Sequence, residues 1–317
     1  MNISVIIPAY NAAAFLERAV QSVLQHPEVK ELLLVEDGST DDTLQVCQRL
    51  RAANTNVHVF QHPNGQNKGA GASRNLGIAN ATQEYIAFLD ADDFYTARRF
   101  KKEKETFENY PDADGVYGAI GVEYLDAIGA KAWEAKGLDQ ETLTTVNKIL
   151  PPDHLFEYIA GIYNADGYTG YFSIDGLTIK RNAIIKLKLE FDTSLQLHQD
   201  TVFMWQASYH LKLYTGEFEL PIAVRGVHAD NRFIHKNKLH ASRSKQYKVL
   251  RDWGLQASLD KRVVNRFQLR FFRNYLRSKN SWEKPFFYMK LLLKDTYTRN
   301  LFGKKQLKIV KELTCND

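Results

Sequence analysis

The first hundred residues alternate short apolar runs with segments of helical periodicity, and this rhythm constrains the fold more than any other feature. The runs are ISVIIP at 3–8, ELLLVED at 31–37, VHVFQ at 57–61 and EYIAFLD at 84–90. Each reads as a strand buried on both faces. Between the first two, Phe15, Leu16, Ala19, Val20 and Val23 recur at helical spacing, with Asn11 as the expected cap. Asp41 and Asp42 open a second helix through Leu44, Val46 and Leu50, where outward-pointing backbone N–H groups favour acidic side chains. A glycine-rich loop with Gly65, Gly69 and Gly71 leads into a third helix near 72–80. Strand–helix alternation of this kind predicts a parallel sheet in a doubly wound α/β layer.

Such sheets bind ligands beyond the carboxyl ends of their strands. Pro8, Ala9 and Tyr10 follow the first strand, Glu36, Asp37 and Gly38 the second, and Asp90, Ala91, Asp92 and Asp93 the fourth. Carboxylates therefore collect at one edge. The Asp90–Asp93 group is self-repelling unless something positive neutralises it, and Mg²⁺ or Mn²⁺ favours such oxygen ligands. The bland alternative is a solvated acidic loop with Asp93 as a helix cap. Asp37 can accept from a ribose or base N–H, or simply cap a turn. Neither GxxxxGK[ST] nor GxGxxG is present, so no glycine-cradled phosphate is expected.

Beyond residue 112 the pattern loosens. Residues 126–147 are weakly periodic and expected to be an exposed excursion, and 151–180, with YNADGYTGYFSIDG, a loop-rich surface. A helix is expected from Asp200, then strands near 211–214 and 219–227. From 236 on, the chain reads as helical, basic and aromatic. Residues 225–317 hold 23 Lys and Arg against 7 Asp and Glu, whereas residues 1–224 hold 19 against 30. This asymmetry suggests an anionic partner for the C-terminal part. Two cysteines, Cys47 and Cys315, exclude a disulfide scaffold or a multi-cysteine zinc site. The start, MNISVIIPAY, lacks the pattern of a signal peptide, and no run of about 18 apolar residues argues for a membrane span, so a cytoplasmic protein is expected.

The segments VIIPAYNAAAFLERAVQSVL, LLLVEDGSTDDT, GASRNLGIANATQEYIAFLDADD and HQDTVFMW, taken in order, resemble the motif series of the family 2 glycosyltransferases. The resemblance covers about residues 1–230. It implies a GT-A fold, a doubly wound, mostly parallel α/β sheet, here with a basic helical C-terminal extension. The implied division is a nucleotide-sugar-binding half at 1–115, an acceptor-binding half of the same domain at 116–235, and the extension at 236–317. The resemblance assigns the nucleotide to Pro8, Ala9, Tyr10 and Asp37, with Glu36 where the family commonly has Asp. It assigns the donor-side loop to Arg74 and Asn75, and the metal and diphosphate to the Asp90-Ala91-Asp92 motif. For Arg74, a structural ion pair is the equal alternative.

By the same resemblance, Asp200 in His198-Gln199-Asp200 is the catalytic base, removing the acceptor proton as the bond to the diphosphate breaks. Its alternative is a helix cap. His228, a candidate third metal ligand with Asp90 and Asp92, and Arg225 and Arg232 are candidates for contact with the metal or the diphosphate; the alternative for His228 is a partly buried structural histidine. The implied activity is inverting transfer from a nucleoside-diphosphate sugar, a UDP-sugar foremost, to a hydroxyl of a glycan or lipid-linked saccharide. Mn²⁺ or Mg²⁺ is the implied cofactor, and cell-surface polysaccharide synthesis the setting. The rivals are a non-catalytic nucleotide-sugar-binding scaffold and a nucleotidyltransferase. The first predicts a missing acid, yet Asp37, Asp92 and Asp200 are present. The second predicts a glycine-rich basic signature where this chain has AYNAAA. For the tail, an anionic membrane surface and plain helix packing compete, and no nucleic acid partner is expected. The sequence assigns no oligomeric state.

Overall fold

The computed structural model describes residues 1–135, 143, 146, 148–163, 172–231 and 236–279. The chain divides into two compact units, Met1–Asn231 and Arg232–Asp317.

In the first unit, β1 (Ile3–Ala9), α1 (Leu16–Leu24), β2 (Val29–Glu36), α2 (Thr43–Ala53), β3 (Val57–Gln61), α3 (Ala70–Asn80) and β4 (Tyr85–Phe88) follow the expected alternation. The strands β5 (Phe94–Tyr95), β6 (Gly115–Tyr117) and β7 (Ile120–Tyr124) come next, with α4 (Lys101–Asn109) after β5. Then follow α5 (Ala127–Glu134), α6 (Leu155–Ala160), β8 (Leu177–Lys180), α7 (Arg181–Leu187), α8 (Gln199–His210), β9 (Leu213–Thr215) and β10 (Ala223–Val227). Among the described residues the main sheet has the order β3-β2-β1-β4-β8-β6-β9. β1 pairs parallel with β2 and β4, and β8 runs antiparallel to both β4 and β6. A small second sheet, β5-β10-β7, lies beside it.

This order explains the site's position. The chain winds outward from β1 through β2 to β3, and α3 then returns it to β4 on the other side of β1. The strand order reverses there, so the carboxyl ends of β1 and β4 flank the crevice where doubly wound sheets take ligands. β1 is buried along its whole length, as a central strand must be. α3 packs tightly on β1: a Cβ on Gly77 would collide with the Ile6 side chain, so only glycine fits. One face of β1, β2 and β4 and the inner faces of α1 and α2 supply the core around Ile3, Val5, Leu16, Val20, Leu32, Leu34 and Cys47.

Three expectations change. Asn11 does not cap α1; its backbone is left-handed (φ 49°), and its Oδ1 accepts from the Thr40 amide at 2.9 Å, tying together the loops after β1 and β2. The excursion at 126–147 begins as a helix, because Asp126 caps α5 by accepting from the Gly129 amide at 2.6 Å and Trp133 is buried. Most of residues 136–147 lie outside the described residues. The stretch 151–180 contains β8 in the middle of the sheet, not only surface loops. Leu177 and Ile179 are fully buried there, but four residues between turns are too short for periodicity to reveal.

In the second unit, α9 (Lys236–Gln256) and α10 (Lys261–Arg277) pack as an antiparallel pair. Asp260 caps α10 by accepting from the Arg262 amide, and Val263, Val264, Phe267, Phe271, Phe272 and Leu276 are buried. Arg251 Nη1 donates to Gln268 Oε1 at 2.8 Å across the pair. Trp282, Phe286, Phe287 and Tyr288 of the aromatic tail lie outside the described residues. No described helix is long and apolar enough to cross a membrane.

Candidate active site

The turn after β2 is built on satisfied carboxylates. Asp37, 2% exposed, accepts from the Lys68 amide at 2.7 Å and the Gly69 amide at 2.9 Å. Its own amide donates to Ala9 O at 2.9 Å. Asp37 thus shapes the glycine-rich loop on which α3 begins, beside any contact it makes to a nucleotide. Glu36 accepts from the Ser39 amide and from Gln61. Burial pushes its carboxyl up, but those hydrogen bonds outweigh it and leave the group below its usual range. Pro8 and Ala9 are buried, while Tyr10, 45% exposed, presents its ring at the end of β1.

The turn after β4 is different. Asp90, Asp93 and Asp175 offer carboxylate oxygens within 4.8 Å of one another. Asp175 sits in the short turn before β8 and accepts from the Asp90 amide at 2.9 Å. Burial, then the charge of Asp90, pushes Asp175 up to about 6. Burial, then Asp175, holds Asp93 well above the usual carboxylate range. Buried close together beside Asp90, the two favour a shared proton where no cation neutralises them. Asp93 is therefore not a helix cap: β5 follows it, and its Oδ1 accepts from the Gly226 amide of β10 at 2.9 Å. A Cβ at Gly226 would collide with the Asp92 carbonyl, so this close approach needs glycine.

Two guanidiniums face this cluster. Arg74, 3% exposed, pairs with Asp90 and also feels Asp200 and Asp175. Arg225 on β10 feels Asp93, Asp175, Asp90 and Asp200. Asp200 stands in the first turn of α8. The base candidate and the acidic cluster thus act on the same two arginines. Asp92 Oδ2 meets His228 Nε2 at 3.1 Å and accepts from Asn231 Nδ2 at 3.0 Å. The Asp92 hydrogen bond, against burial, raises the His228 imidazole above its ordinary value. Its ring packs on Phe15 with centroids 4.6 Å apart.

The structure brings Asp90, Asp92, His228, Arg74 and Asp200 into this neighbourhood and gives two expected donor residues other work. Asn75 binds the Phe191 backbone with both ends of its amide, at 2.9 and 2.8 Å, so it holds that chain segment beside α3. Ala91 is buried in the core, leaving only its backbone to line the turn. Arg74 forms the ion pair that was its alternative. Arg232 lies outside the described residues. Sequence reasoning missed the joint role of Asp93 and Asp175 and the supporting Gly226 and Asn231. Their signal is tertiary, since these residues meet the Asp90 turn from 85 to 139 positions away.

The doubly wound sheet, with an acidic turn at its switch point and Asp200 in the first turn of α8, has the layout of a GT-A fold. Crystal structures of S. aureus TarS 1–349 share this fold. The one in complex with UDP-GlcNAc aligns with a TM-score of 0.63 at 16% identity, covering 90% of this chain and 78% of that one. Residues 4–151 match the sequence profile of Glycosyl transferase family 2. An uncharacterized glycosyltransferase of Haemophilus influenzae is 37% identical over 102 residues, 32% of this chain and 40% of that protein. The putative teichuronic acid biosynthesis glycosyltransferase TuaG of Bacillus subtilis is 37% identical over 105 residues, 32% of this chain and 40% of TuaG. The matched stretch spans less than half the length of these curated relatives.

Proposed function

We propose that the chain is a metal-dependent, inverting glycosyltransferase acting in cell-surface polysaccharide synthesis. It moves a sugar from a nucleoside-diphosphate sugar, a UDP-sugar by preference, to a hydroxyl of a glycan or lipid-linked saccharide. The observation that carries this reading is the placement of Asp200, which acts on Arg74 and Arg225 together with Asp90 and Asp175. A carboxylate near the acidic cluster supports the reading, because direct displacement requires a proton acceptor.

The donor set fits a hard divalent cation. Asp90, Asp93 and Asp175 supply clustered carboxylate oxygens, and Asp92 with His228 adds a further oxygen and an imidazole. Bound there, Mn²⁺ or Mg²⁺ would neutralise charge on the donor's diphosphate. The protein's own groups do the rest. Tyr10 offers an exposed ring face to a nucleobase. Arg74 fixes Asp90, and Asp175 fixes the backbone of the same turn. Asp200 takes the proton of the acceptor hydroxyl as that oxygen bonds to the anomeric carbon, while the bond to the diphosphate oxygen breaks and its electron pair leaves with the diphosphate. A single displacement inverts the anomeric centre and needs no enzyme nucleophile.

The test is sugar transfer from a panel of UDP-sugars with Mn²⁺. Asp200→Asn keeps donor binding and loses transfer by about 10²–10⁴-fold. Unchanged turnover in that variant removes Asp200 as the base.

The reading places the protein at the inner face of the membrane. On α10, Arg262, Arg266, Arg270, Arg273 and Arg277 recur every three or four residues along one face, and the helix carries no acidic residue. The apolar face of α10 is buried, so contact with anionic headgroups would be electrostatic and salt-sensitive rather than by insertion. Flotation with phosphatidylglycerol vesicles, abolished by high salt, is the expected result; no flotation at low salt removes the membrane from this account.

A further inference from the structure

The loop after β10 grips Asp92 in a way that the reading above does not use. Residues 228–231 close a turn in which the Asn231 amide donates to His228 O at 3.1 Å. The Asn231 side chain then does two things. Its Oδ1 accepts from the His228 amide at 2.7 Å, and its Nδ2 donates to Asp92 Oδ2 at 3.0 Å. The turn is held from outside by Asp126. One carboxylate oxygen of Asp126 accepts from the Gly129 amide at 2.6 Å, and the other accepts from the Ala229 amide at 2.8 Å. Asp126 thereby pins the 228–231 turn to the start of α5, while Asn231, 9% exposed, carries that fixed position on to Asp92.

A carboxylate at the mouth of a site is a free rotor unless something holds it, and fixing it on binding costs conformational entropy. Both Asn231 Nδ2 and His228 Nε2 address Oδ2 of Asp92, which leaves Oδ1 as the open acceptor among the described residues. The asparagine amide is the donor of the two that does not depend on protonation. If His228 turns its Nε2 to a cation, Asn231 alone keeps Asp92 oriented. We infer that Asn231 is a positioning residue that presets Asp92 for a divalent cation, with Asp126 as the buttress of its turn. The inference rests on the glycosyltransferase reading for what the cation does, but its test does not depend on turnover. Partners of ligating groups typically change metal affinity by about 10–100-fold.

The experiment is calorimetric titration of the full chain with Mn²⁺ in the presence of UDP, alongside melting in EDTA. Asn231→Ala is expected to weaken Mn²⁺ binding by about 10–100-fold. Asn231→Gln, which restores an amide donor, is expected to recover part of the affinity. Asn231→Ser keeps a small turn-forming hydroxyl that cannot reach Asp92, and is expected to match Asn231→Ala if the alanine variant does not fold. Wild-type Mn²⁺ affinity in a folded Asn231→Ala or Asn231→Ser variant overturns the inference. An affinity loss that simply tracks a lower melting temperature in EDTA, without rescue by Asn231→Gln, overturns it as well. Failure of the wild-type protein to bind Mn²⁺ and UDP instead overturns the glycosyltransferase reading.

Discussion

The turns after β2 and β4 end parallel strands at the same edge of one sheet, and both are rich in carboxylates, yet they are built on opposite principles. After β2, Asp37 and Glu36 find backbone and side-chain donors for their oxygens, so their charge is already answered inside the protein. After β4, Asp90 and Asp93 face Asp175, and much of what they meet is more negative charge. Arg74 and Arg225 offset this only in part, because Asp93 and Asp175 remain pushed up. The first arrangement holds a loop in shape. The second keeps a need for positive charge that a proton or a cation can meet. A carboxylate's partners, rather than its presence at a strand end, separate scaffolding from a binding site.

The most direct way to break this contrast is Asp37→Ala. It removes the buried carboxylate that accepts from the Lys68 and Gly69 amides and is expected to cost about 2 kcal/mol of stability, read by denaturant unfolding. A loss under about 0.5 kcal/mol means that the loop does not depend on Asp37. Asp93→Asn tests the other turn and has a smaller effect of opposite sign. The amide oxygen can still accept from Gly226, and the NH₂ can serve Asp175 as the proton did. Because Asp93 and Asp175 have raised folded-state values, the metal-free protein binds more protons folded than unfolded. This contribution is complete below about pH 4. It fades as pH rises through the value of about 6 for Asp175 and beyond it for Asp93. In EDTA, Asp93→Asn is expected to flatten this decline and to gain about 1 kcal/mol at pH 8, read from melting across pH. Glu36, whose value is lowered, works the other way, losing its contribution as pH falls from its ordinary 4.5. Identical pH profiles for wild type and Asp93→Asn would show that the proton is not shared as described.

Much of the first turn was legible in the sequence. The strand before Asp37 is a continuous apolar run, and the Gly-Ser that follows marks a turn. The second turn was only half legible. The strand YIAFL and the acids after it gave Asp90 and Asp92, but nothing near them announced that Asp93 points inward to β10 or that Asp175 belongs with them. Asn75 shows a role that its motif did not announce. Its place in a motif suggested a ligand contact, while the fold uses both ends of its amide to hold Phe191.

The amino-acid sequence by itself determined the parallel half of the sheet, because short apolar strands and helical periodicity are local patterns set by neighbours within a few residues. It also determined which carboxylates stand at the ligand edge, since the end of a strand is a local signal too. The tertiary structure alone decided the rest. It inserted β8 antiparallel between β4 and β6, which carries Asp175 to Asp90. It brought Gly226 against the Asp92 carbonyl, and Asn231 and His228 onto the Asp92 carboxylate. These contacts join residues 85 to 139 positions apart. Strand pairing and burial set such contacts only once the whole sheet has formed, and no periodicity in the chain encodes them.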